Sequence, residues 1–259
     1  MGQIPLQVSP ELCSEKGHAM VAQNSPEWYQ LRKKMVTSSK VPALLGLRGS
    51  KCQEQMLREV MEQETEDDLK KNKRMASLPS FKRGQQYEDK AAEHFTQETG
   101  IPAYKVGIYR QGNTMFAASP DRILPGSWLL EIKTRVAGSA SPLEKLDGTH
   151  FAQVQTQLYC TDRTEAILMS FLPEEQLAHY FYIKRNHVWW KVAEVILGSI
   201  VHKTKVEHWD LRETEVLRKI GNALLGQNAE FSNTKAFRSW TNDLGSTCKR
   251  VQLQASATL

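Results

Sequence analysis

Asp121, Glu131 and Lys133 are the residues whose types and spacing can do chemistry together. They lie in Ser119-Pro120-Asp121-Arg122-Ile123-Leu124-Pro125-Gly126-Ser127-Trp128-Leu129-Leu130-Glu131-Ile132-Lys133. Pro125-Gly126 suits the centre of a type II turn, because Pro presets φ and Gly accepts positive φ. Trp128 to Thr134 is mostly apolar and reads as a buried strand. Alternation along a strand puts Glu131 and Lys133 on one face. A chain reversal at the turn returns Asp121 beside that face. Two carboxylates with one ammonium suit a hard divalent cation such as Mg²⁺, with Mn²⁺ as substitute. The lysine can orient or activate a water, or stabilise charge on a phosphate. This is equipment for metal-assisted hydrolysis of a phosphodiester. An exposed hairpin with an ordinary Glu/Lys face would show the same pattern. Leu129, Leu130 and Ile132 instead argue for a central strand, where unpaired charges are rare.

The elements around this stretch follow from periodicity and punctuation. Ser25-Pro26-Glu27 starts a helix, with Ser as cap and Pro at the first helical position. Trp28 and Leu31 share its buried face and Arg32 lies near its end. A short helix begins at Ser38-Ser39, so Arg32 beside a Ser-capped helix start makes a pocket for a phosphate, or else a solvated arginine beside a plain cap. A further helix runs from Gly49-Ser50 to about Glu62. Arg48 and Lys51 flank its start, placed to touch a phosphate backbone or simply exposed. Residues 63–79 read as a charged helix end and a mobile loop. Gly84 to Gly100 is amphipathic, with Tyr87, Ala91 and Phe95 on the apolar face and Glu88 one residue away.

Ile101 to Arg110 and Thr114 to Ala118 read as strands around Gln111-Gly112-Asn113. A helix from Thr149 or His150 carries Phe151, Val154 and Leu158. Its Gln153 and Gln155 are surface amides, or neutral donors to a water or a scissile phosphate. Thr164 to Phe171 is a buried strand and His179 to Lys184 a more exposed one. A helical region from His187 breaks near Gly198 and again before Glu213. The mixture of strands and helices, without strict βαβ alternation, predicts an α/β fold with a central mixed sheet flanked by helices. Residues 1–24 read as a flexible leader, 25–227 as one domain and 228–259 as a flexible basic tail with Lys235, Arg238, Lys249 and Arg250.

Four blocks add a resemblance. Pro120-Asp121 with Glu131-x-Lys133 resembles the PD-(D/E)xK nuclease signature. Trp28-Tyr29-Gln30-Leu31-Arg32 with Val36-Thr37-Ser38-Ser39, Gly84-x-x-Tyr87-Glu88, Ala118-Ser119-Pro120-Asp121 and Ala152-Gln153-Val154-Gln155 resemble, in order, motifs of the phage lambda exonuclease family, the YqaJ-type viral recombinases. The resemblance implies a restriction-endonuclease-like PD-(D/E)xK core and a Mg²⁺-dependent 5′→3′ DNA exonuclease acting in recombination or end processing. It implies that Asp121, Glu131 and the Ile132 carbonyl hold the metal, that Glu88 is a third carboxylate there, and that Gln155 and Gln153 assist. It also implies that Arg32 and Ser39, with the backbone near Ser119, grip the 5′-phosphate of a double-stranded end. A homotrimeric ring and a single-strand annealing protein as partner are further implications. Arg122 departs from the family, which often has Gly after the aspartate.

Composition sets the bounds. The chain has 259 residues, 40% hydrophobic and 24% charged, with formal net charge +5, which is compatible with a polyanionic partner. Cys13, Cys52, Cys160 and Cys248 are far apart and make no metal-binding pair, so a reduced intracellular setting is expected. No apolar run approaches the ~20 residues of a membrane span, and a soluble protein is expected. Two other readings stay open: an inactive DNA-end-binding module, and a restriction-type or single-strand endonuclease on the same fold.

Overall fold

Trp128–Thr134 is a strand, and it is central, as its apolar run predicts. The computed structural model describes residues 21–201 except 22, 34, 63, 113 and 140, together with 229–231. In chain order the elements are α1 (Pro26–Lys33), β1 (Val36–Thr37), α2 (Val41–Leu44), α3 (Ser50–Val60), α4 (Glu66–Ala76), α5 (Pro79–Thr99), β2 (Tyr109–Arg110), β3 (Phe116–Ala118), β4 (Arg122–Ile123), β5 (Trp128–Thr134), α6 (Gly148–Cys160), β6 (Glu165–Leu172), β7 (Leu177–Lys184), α7 (His187–Val201) and β8 (Ala229–Phe231). One mixed sheet has the order β4-β5-β6-β7-β8, and a smaller one β1-β3-β2. β5 and β6 are parallel, joined through α6, while β4 pairs antiparallel with β5 and β7 with β6.

The larger sheet separates two cores, because successive side chains of a strand face opposite ways. Leu129, Ala166, Leu168, Phe181 and Ile183 pack towards α6 and α7, with Phe151, Val154, Leu158, Trp189 and Leu197. Leu130, Ile132, Ile167, Met169 and Phe171 pack towards Ala91, Ala92 and Phe95 of α5. Glu131 and Lys133 alternate with Leu130 and Ile132, so they look towards α6. A third cluster of Trp28, Ile108 and Ala117, with Val21, Leu31 and Met35 against it, seats α1 on the smaller sheet.

The hairpin turn forms where Pro125-Gly126 predicts it, with Gly126 at φ 70°. Arg163 clasps that turn, donating to the carbonyls of Leu124 (3.3 Å), Gly126 (2.5 Å) and Trp128 (2.9 Å).

Several expected boundaries are corrected. Ser38-Ser39 do not start a helix: Val36–Thr37 pair with β3, and the short α2 is capped at Lys40, without a side-chain cap bond. The charged stretch read as a helix end and a loop holds a separate helix, α4. Its Thr65 Oγ1 accepts from the Asp68 N–H (3.1 Å) while Asp68 Oδ2 accepts from the Thr65 N–H (3.0 Å), a reciprocal cap. The predicted strand Ile101 to Arg110 shrinks to β2, with a single bridge from Tyr104 to Ile123. α6 starts at Gly148, one or two residues early, on an Asp147 cap. α7 runs through Gly198, since one glycine weakens a helix without ending it when the rest of its face is packed. Val21 and Gln23, assigned to the leader, are bonded to the body: Ile108 N–H donates to Val21 O (3.2 Å) and Gln23 Nε2 to Pro120 O (2.9 Å). Gly107 permits that approach, because a Cβ there would sit 2.0 Å from the Val21 oxygen. The break before Glu213 and the tail basics fall outside the described residues, as do Cys13 and Cys248. None of the described helices is long and apolar enough to cross a membrane.

Candidate active site

Asp121 stands where the chain passes from β3 into β4, so it joins the two sheets. Its Oδ2 accepts from the Ile132 N–H at 2.7 Å, which ties it to β5 between Glu131 and Lys133. The chain reversal therefore brings Asp121, Glu131 and Lys133 together. Glu131 is 2% exposed. Its Oε1 accepts from Lys133 Nζ (2.6 Å) and Gln153 Nε2 (2.6 Å), and its Oε2 from Gln157 Nε2 (2.6 Å). Lys133 Nζ also donates to Gln153 Oε1 at 3.1 Å. A buried carboxylate is tolerated when its oxygens are bonded in this way.

The electrostatics show excess negative charge. Burial, then Glu131 and Glu88, push the Asp121 carboxyl well above the ordinary aspartate range, against Lys133 and the Ile132 N–H. Burial works to lower the Lys133 pKa, but Glu131 and Asp121 outweigh it and hold the ammonium above the ordinary lysine value. Arg48 is exposed, and its charge reaches Lys133. Lys51 is exposed at the start of α3.

Two expected partners are bonded to other groups. Glu88 belongs to α5, on the other side of the sheet, and its Oε1 accepts from Arg122 Nη1 at 2.5 Å. Arg122 is 3% exposed and also bonds Asp89 and the Asp121 carbonyl. Glu88 is thus bonded to Arg122 while its charge is felt at Asp121, and among the described residues no three His, Cys, Asp or Glu side chains are grouped to hold a metal ion. Gln155 points away from Glu131: its Nε2 donates to Lys184 O (2.8 Å) and its Oε1 accepts from the Asn186 N–H (2.8 Å), so it fastens the β7–α7 connection. The physical reason is helical phase. Residues 153 and 157 are four apart and share a face, and 155 lies between them on the opposite side. Gln157 was missed. Its i+4 spacing from Gln153 on an apolar helix was the available signal.

The donor set fits a hard divalent cation. Asp121 and Glu131 offer carboxylate oxygens, and the Ile132 carbonyl lies between Glu131 and Lys133 on β5, all hard oxygen donors. The charge crowding at Asp121 is what a cation would relieve.

A second group of residues lies beside the first. Arg32 Nη2 donates to Ser39 Oγ (2.8 Å), and its guanidinium stacks 4.2 Å from the Trp28 ring centre. Trp28 Nε1 donates to Ser119 Oγ at 2.9 Å. Thr37 Oγ1 and Ser39 Oγ lie 3.2 Å apart. The structure thus gathers Arg32, Ser39 and Ser119 around one tryptophan. Burial draws the Arg32 pKa below the ordinary arginine value, with Glu59 opposing. Glu59 itself pairs with Lys40 at 2.9 Å. Arg32 makes no ion pair with a carboxylate among the described residues. A partly desolvated guanidinium among hydroxyls is suited to an oxyanion.

Comparison with known proteins follows this geometry. The YqaJ-like viral recombinase domain matches over residues 27–164. An alkaline exonuclease from Laribacter hongkongensis (LHK-Exo) shares the fold with a TM-score of 0.55 at 22% identity, over 77% of this chain and 100% of that one. The same holds for its complex with dAMP. A phage-related exonuclease from Haemophilus somnus 129PT aligns with a TM-score of 0.44 at 12% identity, over 74% and 96%. A search of curated proteins finds no match. The α/β fold expected from the motifs is therefore the PD-(D/E)xK fold of the alkaline exonucleases. With more than half of its length matched, the chain belongs to the YqaJ-like viral recombinase family.

Proposed function

We propose that the chain is a divalent-metal-dependent DNA exonuclease that starts from a 5′-phosphorylated duplex end. One observation carries the reading: Ser119 of the Arg32 group and Asp121 of the carboxylate group are two residues apart on one segment. Two residues span at most about 7 Å, of the order of the spacing between successive phosphates along a strand. A terminal phosphate held by Arg32 and Ser39 would place the next phosphodiester beside Asp121 and Glu131, so that one nucleotide leaves per cycle. The alkaline exonuclease of like fold has been solved with dAMP, a single nucleotide.

Asp121, Glu131 and the Ile132 carbonyl would hold the cation, Mg²⁺ or Mn²⁺. When bound, it would make a water acidic and neutralise charge on the scissile phosphate. Lys133, hydrogen-bonded to Glu131 and Gln153, would orient the attacking water or take its proton, and faces the developing negative charge. Gln153 holds both Lys133 and Glu131 in place. Arg32, stacked on Trp28 and bonded to Ser39, needs little reorganisation to receive the phosphate.

The test uses linear duplexes carrying 5′-phosphate or 5′-hydroxyl, with Mg²⁺ or EDTA. The expected outcome is Mg²⁺-dependent loss of one strand, faster with the phosphate. Lys133→Ala lowers the rate by roughly 10²–10³, the loss seen when one transition-state donor is removed. Arg32→Ala removes the preference for the phosphorylated end while slow cleavage remains. Tight end binding without cleavage in Mg²⁺ or Mn²⁺ would leave the binding-module reading, and cutting of closed circles would leave the endonuclease.

A further inference from the structure

The lone pairs of Glu131 are nearly all taken. An ionised carboxylate offers about four acceptor sites, two on each oxygen. Oε1 has two donors, Lys133 and Gln153, and Oε2 has one, Gln157. The remaining site is on Oε2, beside the Gln157 amide. That amide is itself incomplete. Gln157 is 0% exposed, its Nε2 is used on Glu131, and its Oε1 is buried without a hydrogen-bond partner. A buried acceptor ordinarily takes a donor, from the protein or from a water, and here the nearest group able to hold such a water is the carboxylate of Glu131.

Taken together, these two observations lead us to propose that Gln157 is a positioning residue for the metal centre: it fixes Glu131 so that Oε2 alone faces the cation, and its own Oε1 accepts from a water on that cation. Gln157 touches neither substrate nor metal; it acts through Glu131 and through a water. The inference rests on the metal-dependent reading above and deepens it, since it names which oxygen of Glu131 binds and what completes the shell. The Gln155 amide, two residues away on the same helix and equally buried, is fully bonded to Lys184 and Asn186, so it makes the control.

The experiment titrates Mn²⁺ into the full chain without DNA, by calorimetry, for the wild type, Gln157→Met and Gln155→Met, with thermal unfolding of the metal-free proteins alongside. Partners that orient a metal ligand are typically worth 10–100-fold in affinity. Gln157→Met is expected to weaken Mn²⁺ binding by that factor. Gln155→Met is expected to lower the melting temperature and leave the Mn²⁺ affinity within twofold. Gln157→Asn, which keeps an amide but withdraws it by one methylene, gives the same loss and serves if the Met variant does not fold. Unchanged affinity in both Gln157 variants, or an equal loss in Gln155→Met, overturns the inference. A wild-type chain that takes up no Mn²⁺ sinks the metal reading itself and this inference with it, a result distinguishable from intact binding in every chain.

Discussion

Arg122 carries more consequence than any other single side chain outside the proposed machinery. It is buried, and it binds Glu88 and Asp89 at once. Asp89 is held in turn by Lys105 at 2.6 Å. Removing one partner of a buried pair strands the other charge, which is where most of the loss arises. Arg122→Ala is expected to destabilise by about 2–4 kcal/mol, at the lower end for such pairs because Glu88 and Asp89 reach solvent. Glu88→Gln in the same chain should recover part of it, and urea unfolding of the double-mutant cycle reads the coupling. Strict additivity would show that the pair contributes nothing. The same residue marks the limit of what could be read from the sequence. Asp121, Glu131 and Lys133 were legible because local rules, a turn and a two-residue alternation, bring them together, whereas the Arg32–Ser39 pairing came from the resemblance, since the helix start expected at Ser38-Ser39 does not form. The capture of Glu88 by Arg122 depends on how α5 crosses the sheet, and no local pattern encodes that.

The elements show the same division between local and global signals. β5, α6 and β6 were legible, because long apolar runs with sharp caps leave little choice. α4 was not, since Glu66-Asp67-Asp68 against Lys70-Lys71 has no apolar stripe and reads as solvated chain. What holds its start is Asp68, which accepts from Arg58 Nε (2.7 Å) and Nη2 (2.8 Å) as well as from Thr65. The Arg58 bond first, then the Thr65 N–H, depress the Asp68 carboxyl far below the ordinary range. A folded-state value below the unfolded one means that the stabilisation is complete above the ordinary aspartate pKa of about 4. It fades as the pH drops below that value towards the folded one. Asp68→Asn should therefore melt at a lower temperature than the wild type at pH 7, and the gap should narrow as melts are repeated from about pH 5 down to about pH 3. A gap that stays constant with pH would mean that shape, not charge, holds this helix start.

For the molecule as a whole, a net charge of +5 says little until the cations are sorted by what already holds them. Lys40, Arg58, Arg83, Arg122 and Arg185 are committed to carboxylates, and Arg163 to three carbonyls. Each of these would have to give up a bond it already makes before it could receive a phosphate. Arg48 and Lys51 differ: both are exposed, they lie three residues apart where the chain enters α3, and the charge of Arg48 is felt at Lys133. A duplex whose end is in the carboxylate cluster would run its backbone past them. Each phosphate neutralised adds about 0.9 to the slope of log K against log salt on B-form DNA. The double variant Arg48→Ala, Lys51→Ala should flatten that slope by about 1–2 and weaken binding alike for every sequence. Its Mn²⁺ affinity should not fall, because neither residue bonds Asp121 or Glu131 and the charge that Arg48 projects onto the cluster is positive. Binding isotherms on an end-labelled duplex in Ca²⁺, from low to physiological salt, measure the slope directly. An unchanged slope would move the DNA track off this face and onto one of the other exposed basic surfaces, while the same loss at every salt concentration would mean that the two side chains shape the loop before α3 instead of meeting phosphates.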